Sequence, residues 1–100
     1  MPKENTNIKE RNRSDLKPPG QYKVIFHNDD FTPMDFVIAL LVNIFHKPIT
    51  EATTLMLKVH HEGRAIVGVY SFDIANSKAL QATSIARDNG YPLRITVEHG

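Results

Sequence analysis

Three short runs rich in β-branched and aromatic residues constrain the fold most strongly. The runs are YKVIF at 22–26, RAIVGVY at 64–70 and LRITVE at 93–98. Each composition is typical of a β-strand, and Gly68 inside the second run indicates a bulge or the close approach of another backbone. The last run alternates apolar and polar residues, which predicts a strand with one buried face. Longer segments with helical periodicity separate the three runs, so the chain must combine strands with helices.

Two helical segments lie between the first two runs. In the first, we expect Thr32 to cap the N-terminus, Pro33 to be the first helical residue and Asp35 to complete a capping box. Its apolar stripe consists of Met34, Val37, Leu40, Leu41, Ile44 and Phe45. The second helix is predicted to begin at a Thr50 cap and to end at a left-handed Gly63. Its inner face consists of Ala52, Leu55, Met56 and Val59.

A third helix is predicted between the second and third runs. We expect Ser71 to cap it and the sequence DNG at 88–90 to end it. Its expected inner face consists of Phe72, Ile74, Ala75, Ala82, Ile85 and Ala86. The element order is therefore β-α-α-β-α-β. This order predicts a small α+β sandwich in which three helices cover one face of a three-stranded antiparallel sheet.

Composition divides the chain into a tail and one domain. Residues 1–17 contain few large apolar side chains, which predicts a disordered N-terminal tail, and KPPG at 17–20 marks the boundary. Residues 18–100 then form the core domain. With 100 residues in all and 41% hydrophobic content, the chain can build one modest core and only a shallow pocket.

Several functional classes are disfavoured by what the sequence lacks. The chain has no cysteine, which excludes a disulfide framework, a thiolate nucleophile and a zinc-thiolate site. It has no apolar run of membrane-spanning length and no signal-peptide pattern, so we expect a cytoplasmic protein without a membrane partner. Residues 18–100 hold seven Lys or Arg against eight Asp or Glu, which disfavours a nucleic-acid partner.

The candidate functional segment is HNDD at 27–30, which joins the first predicted strand to the first helix. Loops on a rigid support often carry function. Asn28, Asp29 and Asp30 concentrate an amide and two carboxylates there. Turn formation is an equally good explanation, because Asn and Asp side chains accept hydrogen bonds from nearby backbone N–H groups.

If the loop binds a ligand, an ammonium group fits it best. A metal would need more oxygen ligands, and HHEGR at 60–64 lacks the second histidine of a zinc-binding helix. Metal-dependent hydrolysis is therefore disfavoured. An ammonium has three donors and one charge, which an Asp carboxylate, an Asn oxygen and a neutral His nitrogen can satisfy. His60 can supply that nitrogen, although a histidine at a helix end more often contacts terminal carbonyls or solvent.

Residues 17 to 98 resemble the ClpS family of protease adaptors. The resemblance rests on KPPGQYKVIFHNDDFTPMDFV, ATTLMLKVHHEGRAIVGVY, DIANSK and ARDNGYPL. It implies a non-enzymatic adaptor, without catalytic residue, cofactor or metal, that binds the free N-terminus of proteins beginning with Leu, Phe, Trp or Tyr. Such proteins, known as N-degron substrates, would be delivered to a Clp AAA+ ATPase and its protease.

The resemblance also implies roles for individual residues. Asn28, Asp29 and His60 would hold the α-ammonium and the first peptide group, with Asp30 beside them. The pocket for the first side chain would consist of Phe26, Thr32, Met34, Met56, Val59 and Leu93. Met34 would exclude side chains branched at the β-carbon.

A second surface is implied to contact the N-terminal domain of a ClpA-like ATPase. The matching residues are Asp73 and Lys78. From the residues alone, two other functions remain open: a small metal- or carboxylate-dependent hydrolase and, less favoured, a nucleic-acid-binding module.

Overall fold

The order of strands and helices agrees with the sequence prediction. A computed structural model describes residues 21–100; the predicted tail at 1–17 and the KPPG boundary lie outside the described residues. The elements are β1 (Tyr22–His27), α1 (Met34–Asn43), α2 (Ile49–Glu62), β2 (Arg64–Tyr70), α3 (Phe72–Asp88) and β3 (Arg94–His99). The predicted α+β class and the order β-α-α-β-α-β are confirmed.

The sheet places β1 in the centre, in the order β2-β1-β3, with both neighbours antiparallel to it. Val24 pairs with Gly68 while the next residue, Ile25, pairs with Ile66, so β2 carries one extra residue at Val67. The predicted bulge is therefore present. A side chain on Gly68 would collide with the ring of Tyr70, so the close neighbour is a side chain and not another backbone.

One face of the sheet packs against the helices and forms the core. Val24 and Phe26 of β1 are fully buried on this face, and Leu41 of α1 is fully buried in the same core. The other residues of this core are Val37, Leu40, Ile44, Phe45, Ala52, Met56, Val59, Ala65, Val67, Ala75, Ala79, Ala82, Ala86 and Leu93. Ile25, which follows Val24 and points to the opposite face of the sheet, is also buried. The burial of these side chains is the main favourable contribution to folding.

The predicted side-chain caps are not formed. Pro33 and Pro48 are the N-cap residues of α1 and α2, so the predictions for Thr32 and Thr50 were wrong. The proline rings fix φ near −65° and lead directly into a helical turn. Thr50 lies inside α2, where its carbonyl accepts a hydrogen bond from the Thr54 hydroxyl (3.1 Å). Ser71 does occupy the N-cap of α3, but its side chain makes no capping hydrogen bond.

The inner face of α3 differs from the prediction. Its buried residues are Ala75, Ala79, Ala82 and Ala86. Phe72 and Ile74, which we expected inside, are half exposed. Small side chains at spacings of three and four residues form a stripe that faces the core, whereas Phe72 lies at the helix start and packs its ring edge-on against Tyr22 (centroids 5.1 Å). No described helix has both the length and the apolar character needed to cross a membrane.

Candidate functional site

Asp29 shapes the loop between β1 and α1. Its Oδ1 accepts hydrogen bonds from the backbone N–H groups of Phe31 and Thr32, both at 2.8 Å. Its Oδ2 accepts a third hydrogen bond, also at 2.8 Å, from the Thr32 hydroxyl. The Thr32 side chain therefore fixes the Asp29 carboxylate and does not cap α1. The structure thus confirms the turn-forming role that the sequence left open.

These hydrogen bonds also keep the Asp29 carboxyl ionised. Burial alone would raise its pKa, but the N–H groups of Phe31 and Thr32, the Thr32 hydroxyl and the positive charge of Arg87 outweigh burial and lower the pKa below 3.8. A carboxylate offers about four lone-pair positions, and three hydrogen bonds use three of them. Asp29 therefore keeps its negative charge and one position for a ligand.

The loop is joined to the end of α2 by one backbone hydrogen bond. The Asn28 N–H donates to the carbonyl oxygen of Gly63 at 2.8 Å. Gly63 ends α2 in the left-handed conformation (φ 89°), as predicted, and its own N–H donates to Val59. Because His27 pairs with Arg64 at the start of β2, the chain must bring the last turn of α2, with His60, beside the loop.

A cavity of about 180 Å³ opens between the loop and the two helices. It is lined by Asn28, Asp29, Asp30, Thr32, Met34, Val37, Met56, Val59 and His60. Val37, Met56 and Val59 are buried and form an apolar floor, whereas Met34 is 46% exposed. The cavity thus combines a polar, acidic rim with an apolar interior.

Eight of the ten residues predicted for substrate binding line this cavity. The other two, Phe26 and Leu93, are 0% and 1% exposed and are not among the lining residues. The Phe26 ring packs edge-on against Phe45 at 5.4 Å. Val37 lines the cavity although we expected only a core role for it. Its position one turn after Met34 on the same helix face is the signal that could have identified it.

The rim leaves polar groups available to a ligand. Within residues 21–100, we find no side-chain hydrogen bond to Asn28, Asp30 or His60. No group of three or more His, Cys, Asp or Glu side chains in this range is arranged to hold a metal ion. The available acceptors and the charge of Asp29 can satisfy a cation that carries its own hydrogen-bond donors.

The two residues predicted to contact a partner lie on α3 and differ in their surroundings. Asp73 is exposed in the first turn of the helix. The Lys78 ammonium instead donates to the carbonyl of Ile44, at the C-terminal end of α1, at 2.7 Å. It also lies 5.9 and 5.5 Å from the ring centroids of Phe45 and Tyr70. Lys78 therefore joins α3 to α1 and β2.

Comparison with known proteins identifies the family. A sequence model described as ATP-dependent Clp protease adaptor protein ClpS matches residues 17–96. The chain is 52% identical to the Clp protease adapter protein ClpS of Shewanella denitrificans, over 90% of this chain and 88% of the relative. It is 48% identical to the same adapter of Vibrio atlanticus, over 93% and 88% of the two chains.

A solved structure has the same fold. Agrobacterium tumefaciens ClpS2 bound to L-phenylalaninamide superposes with a TM-score of 0.80 at 37% identity, over 83% of this chain and all of that one. The protein therefore belongs to the ClpS family, whose members are adaptors of the ATP-dependent Clp protease and not enzymes.

Proposed function

We propose that this adaptor acts in the cytoplasm, where it binds the free N-terminus of proteins whose first residue is Leu, Phe, Trp or Tyr. It then delivers them to a Clp AAA+ ATPase and its protease. The observation that carries the proposal is the cavity beside the loop, because one opening combines ammonium acceptors with an apolar floor.

The rim has the chemistry to bind an α-ammonium group. Asp29 supplies a fixed negative charge and one remaining lone pair, Asn28 an amide oxygen, and His60 a ring nitrogen when neutral. Asp30 adds a second carboxylate at the rim. Hydrogen bonds between charged groups are about twice as strong as neutral ones. A free N-terminus is therefore favoured over an acetylated one.

The floor fits the first side chain of such a peptide. Val37, Met56 and Val59 offer only apolar atoms, and the methionine thioethers can adapt to rings and to branched chains. A cavity of about 180 Å³ has room for one side chain, not for a longer peptide segment. The ligand of the related A. tumefaciens protein, L-phenylalaninamide, combines a free amino group with an aromatic side chain. That combination supports the proposal.

For the ATPase contact, we propose the surface around Asp73 at the start of α3, binding the N-terminal domain of a ClpA-like ATPase. Asp73 is exposed and can accept hydrogen bonds from a basic partner. The Lys78 ammonium donates one hydrogen bond to the Ile44 carbonyl. Lys78 therefore supports the ATPase contact by holding α3 in place, and its remaining N–H donors can bind the ATPase domain.

The test is calorimetric titration with a Leu-initiated peptide, free or N-acetylated. Acetylation removes the charge and leaves Asp29 unpaired at the rim, which should weaken binding by about 2–4 kcal/mol. Asp29→Asn should also weaken binding of the free peptide. Asp88→Asn, which removes an exposed carboxylate at the end of α3, serves as the matched control and should bind normally. Equal affinity for the free and acetylated peptides would contradict the proposal.

A further inference from the structure

The sheet face opposite the helices carries three basic side chains in one row. His27 of β1 pairs directly with Arg64 of β2 on one side and with Arg94 of β3 on the other. Residues directly opposite in a sheet point to the same face. This face is the one that His27 shares with Lys23 and Ile25, not the face of buried Val24 and Phe26. We call Arg64, His27 and Arg94 the basic row.

At neutral pH the positive charge of the basic row is that of its two arginines, because the pKa of His27 lies below its ordinary value of 6.5. Burial lowers the pKa of His27, and the charges of Arg94 and Arg64 lower it further. Glu98 opposes this effect, and its carboxylate lies 3.6 Å from the Arg64 guanidinium. Both arginine side chains are exposed, and within residues 21–100 the only salt bridge to either is the one with Glu98. Arg94 therefore has no acidic partner within residues 21–100, and an external anion would supply one.

The same face also has apolar surface beside the row. Ile66 and Val69 of β2 are 45% and 52% exposed. A groove of about 230 Å³ runs beside Arg64 and has Ile25 and Ile66 in its lining. Its remaining lining residues are Lys23, Lys58, Glu62, Ala65 and Glu98.

We propose that the basic row and this groove form a docking surface for an acidic peptide segment of a partner protein. The segment is extended, carries acidic residues at positions i and i+2, and places an aliphatic side chain on Ile66. Strands in a sheet lie about 4.8 Å apart, so Arg64 and Arg94 are about 10 Å apart at the backbone. Acidic side chains about 7 Å apart on an extended peptide lie within reach of both guanidinium groups.

The surroundings of the row favour a peptide over a nucleic acid. A phosphate backbone would gain nothing from covering the exposed Ile66 and Val69. A peptide can match both its charge and its apolar side chains. Lys58 and Glu62 of α2 reach the groove, but no residue of the basic row or of the groove lines the candidate cavity, so the inference goes beyond the proposed function.

The test uses the peptide Gly-Glu-Ser-Glu-Ser-Ile-Gly, acetylated and amidated, titrated into ¹⁵N-labelled full-length protein at low salt; in an extended chain its two Glu side chains and its Ile side chain point to the same side. Acetylation removes the ammonium, so binding does not depend on the candidate cavity. We expect shifts in the amide signals of β1, β2 and β3 around the basic row. Gly-Gln-Ser-Gln-Ser-Ile-Gly should produce no such shifts, and high salt should abolish those of the acidic peptide.

Variants then separate docking from a structural effect. Arg64→Gln and Arg94→Gln should each weaken the acidic peptide about three- to fivefold, as expected for exposed charge pairs. Lys47→Gln removes the same charge from a residue outside the row and the groove and should leave binding unchanged. Glu98→Gln removes the competing carboxylate and should tighten binding about threefold, which a structural role cannot explain.

Three results would overturn the inference. One is equal binding of the acidic and amide peptides, and another is a loss in Lys47→Gln as large as in Arg64→Gln. The third is stronger binding of a short oligothymidylate than of the acidic peptide, which would assign the row to nucleic acid. None of these measurements requires the candidate cavity to bind an N-terminus, so the two proposals fail independently.

Discussion

At the scale of single residues, Asp29 can have both roles that its sequence context allowed, turn formation and ligand binding. Its carboxylate fixes the loop through Phe31 and Thr32 and still keeps its charge and one lone pair. Turn formation and ligand binding are therefore not alternatives at this position. The hydrogen bonds that form the turn also orient the charge, which reduces the entropy lost when a ligand binds.

Met34 offers a test of side-chain specificity at the same site. It lies at the rim of the cavity and is 46% exposed, so Met34→Ala should change the free energy of unfolding by less than about 1 kcal/mol. If its side chain excludes branching at the β-carbon, the variant should gain affinity for Ile- and Val-initiated peptides and retain Leu. Calorimetric titration of each peptide measures both effects.

Leu57→Ala is the matched control for Met34→Ala. Leu57 is 41% exposed on α2 and does not line the cavity, so the preference for Leu over Ile should persist in that variant. Loss of all peptide binding in Met34→Ala, without new binding of Ile, would show that Met34 supports the cavity and does not select its ligand.

The loop and helix-end signals identified Asn28, Asp29, Asp30 and His60 as candidates. The family resemblance added the pocket residues, of which Thr32, Met34, Met56 and Val59 line the cavity. Val37 was assigned only to the core, since a helix stripe does not reveal which of its members reach an opening. Phe26 and Leu93 were assigned to the pocket by family resemblance, yet each is almost completely buried. Exposure depends on how β1 and the helices pack together, and a linear pattern does not contain that information.

At the scale of secondary-structure elements, hydrophobic periodicity predicted the helices well but not every face. The faces of α1 and α2 agree with the prediction, apart from exposed Met34 and partly buried Leu55. In α3 we assigned Phe72 and Ile74 to the inner face because they are large and apolar. The residues that are buried there are alanines. Alanine carries little hydrophobic signal, so a helix that approaches its neighbours through alanines is easily misassigned.

The C-terminal end of α1 shows an interaction that the sequence does not reveal. Lys78 donates to Ile44, 34 positions earlier in the chain, and lies over the rings of Phe45 and Tyr70. A cation at a helix C-terminus is favourable because it faces carbonyl oxygens that lack partners within the helix. Propensity and capping rules consider only nearby residues and therefore miss such long-range contacts.

We predict that Lys78→Met destabilises the fold. The substitution keeps the apolar stem but removes the hydrogen bond to Ile44 and the contact of the charge with two rings, a loss of about 1–2 kcal/mol. Urea unfolding followed by circular dichroism measures the change. Lys58→Met, at an exposed position on α2, should change stability by less than about 0.5 kcal/mol. Unchanged stability in Lys78→Met would limit this residue to partner binding.

At the scale of the whole molecule, the end of β1 lies between a basic surface and an acidic loop. His27 belongs to the basic row on the open face of the sheet, and the acidic loop at 28–30 follows it immediately. The Asn28 hydrogen bond to Gly63 holds this junction. The sequence predicted the order of the elements, since each has a local pattern. The register that aligns Arg64, His27 and Arg94 arises only from strand pairing, so the basic row could not be predicted.

The stability of the whole molecule should decrease in acid, and His27 should cause the first part of that decrease. Its pKa is lowered from 6.5 by burial and by Arg94 and Arg64, so the unfolded chain takes up a proton before the folded protein does. The contribution of His27 to the free energy of unfolding is therefore fully present above pH 6.5. It is lost as the pH falls from there to the lower pKa of the folded state. Below that value His27 contributes no further loss. The lowered pKa of Asp29 acts later, from 3.8 downward.

His27→Gln should remove the first part of the loss of stability in acid. Glutamine does not titrate, and its amide can replace the hydrogen bond between the His27 ring and the Thr96 hydroxyl (2.8 Å). The free energy of unfolding in urea, measured at a series of pH values, should therefore decrease less between neutral pH and pH 5 in this variant than in the wild type. His61→Gln, at an exposed position on α2, should follow the wild-type profile. Parallel profiles for wild type and His27→Gln would show that burial and the two arginines do not lower the pKa of His27.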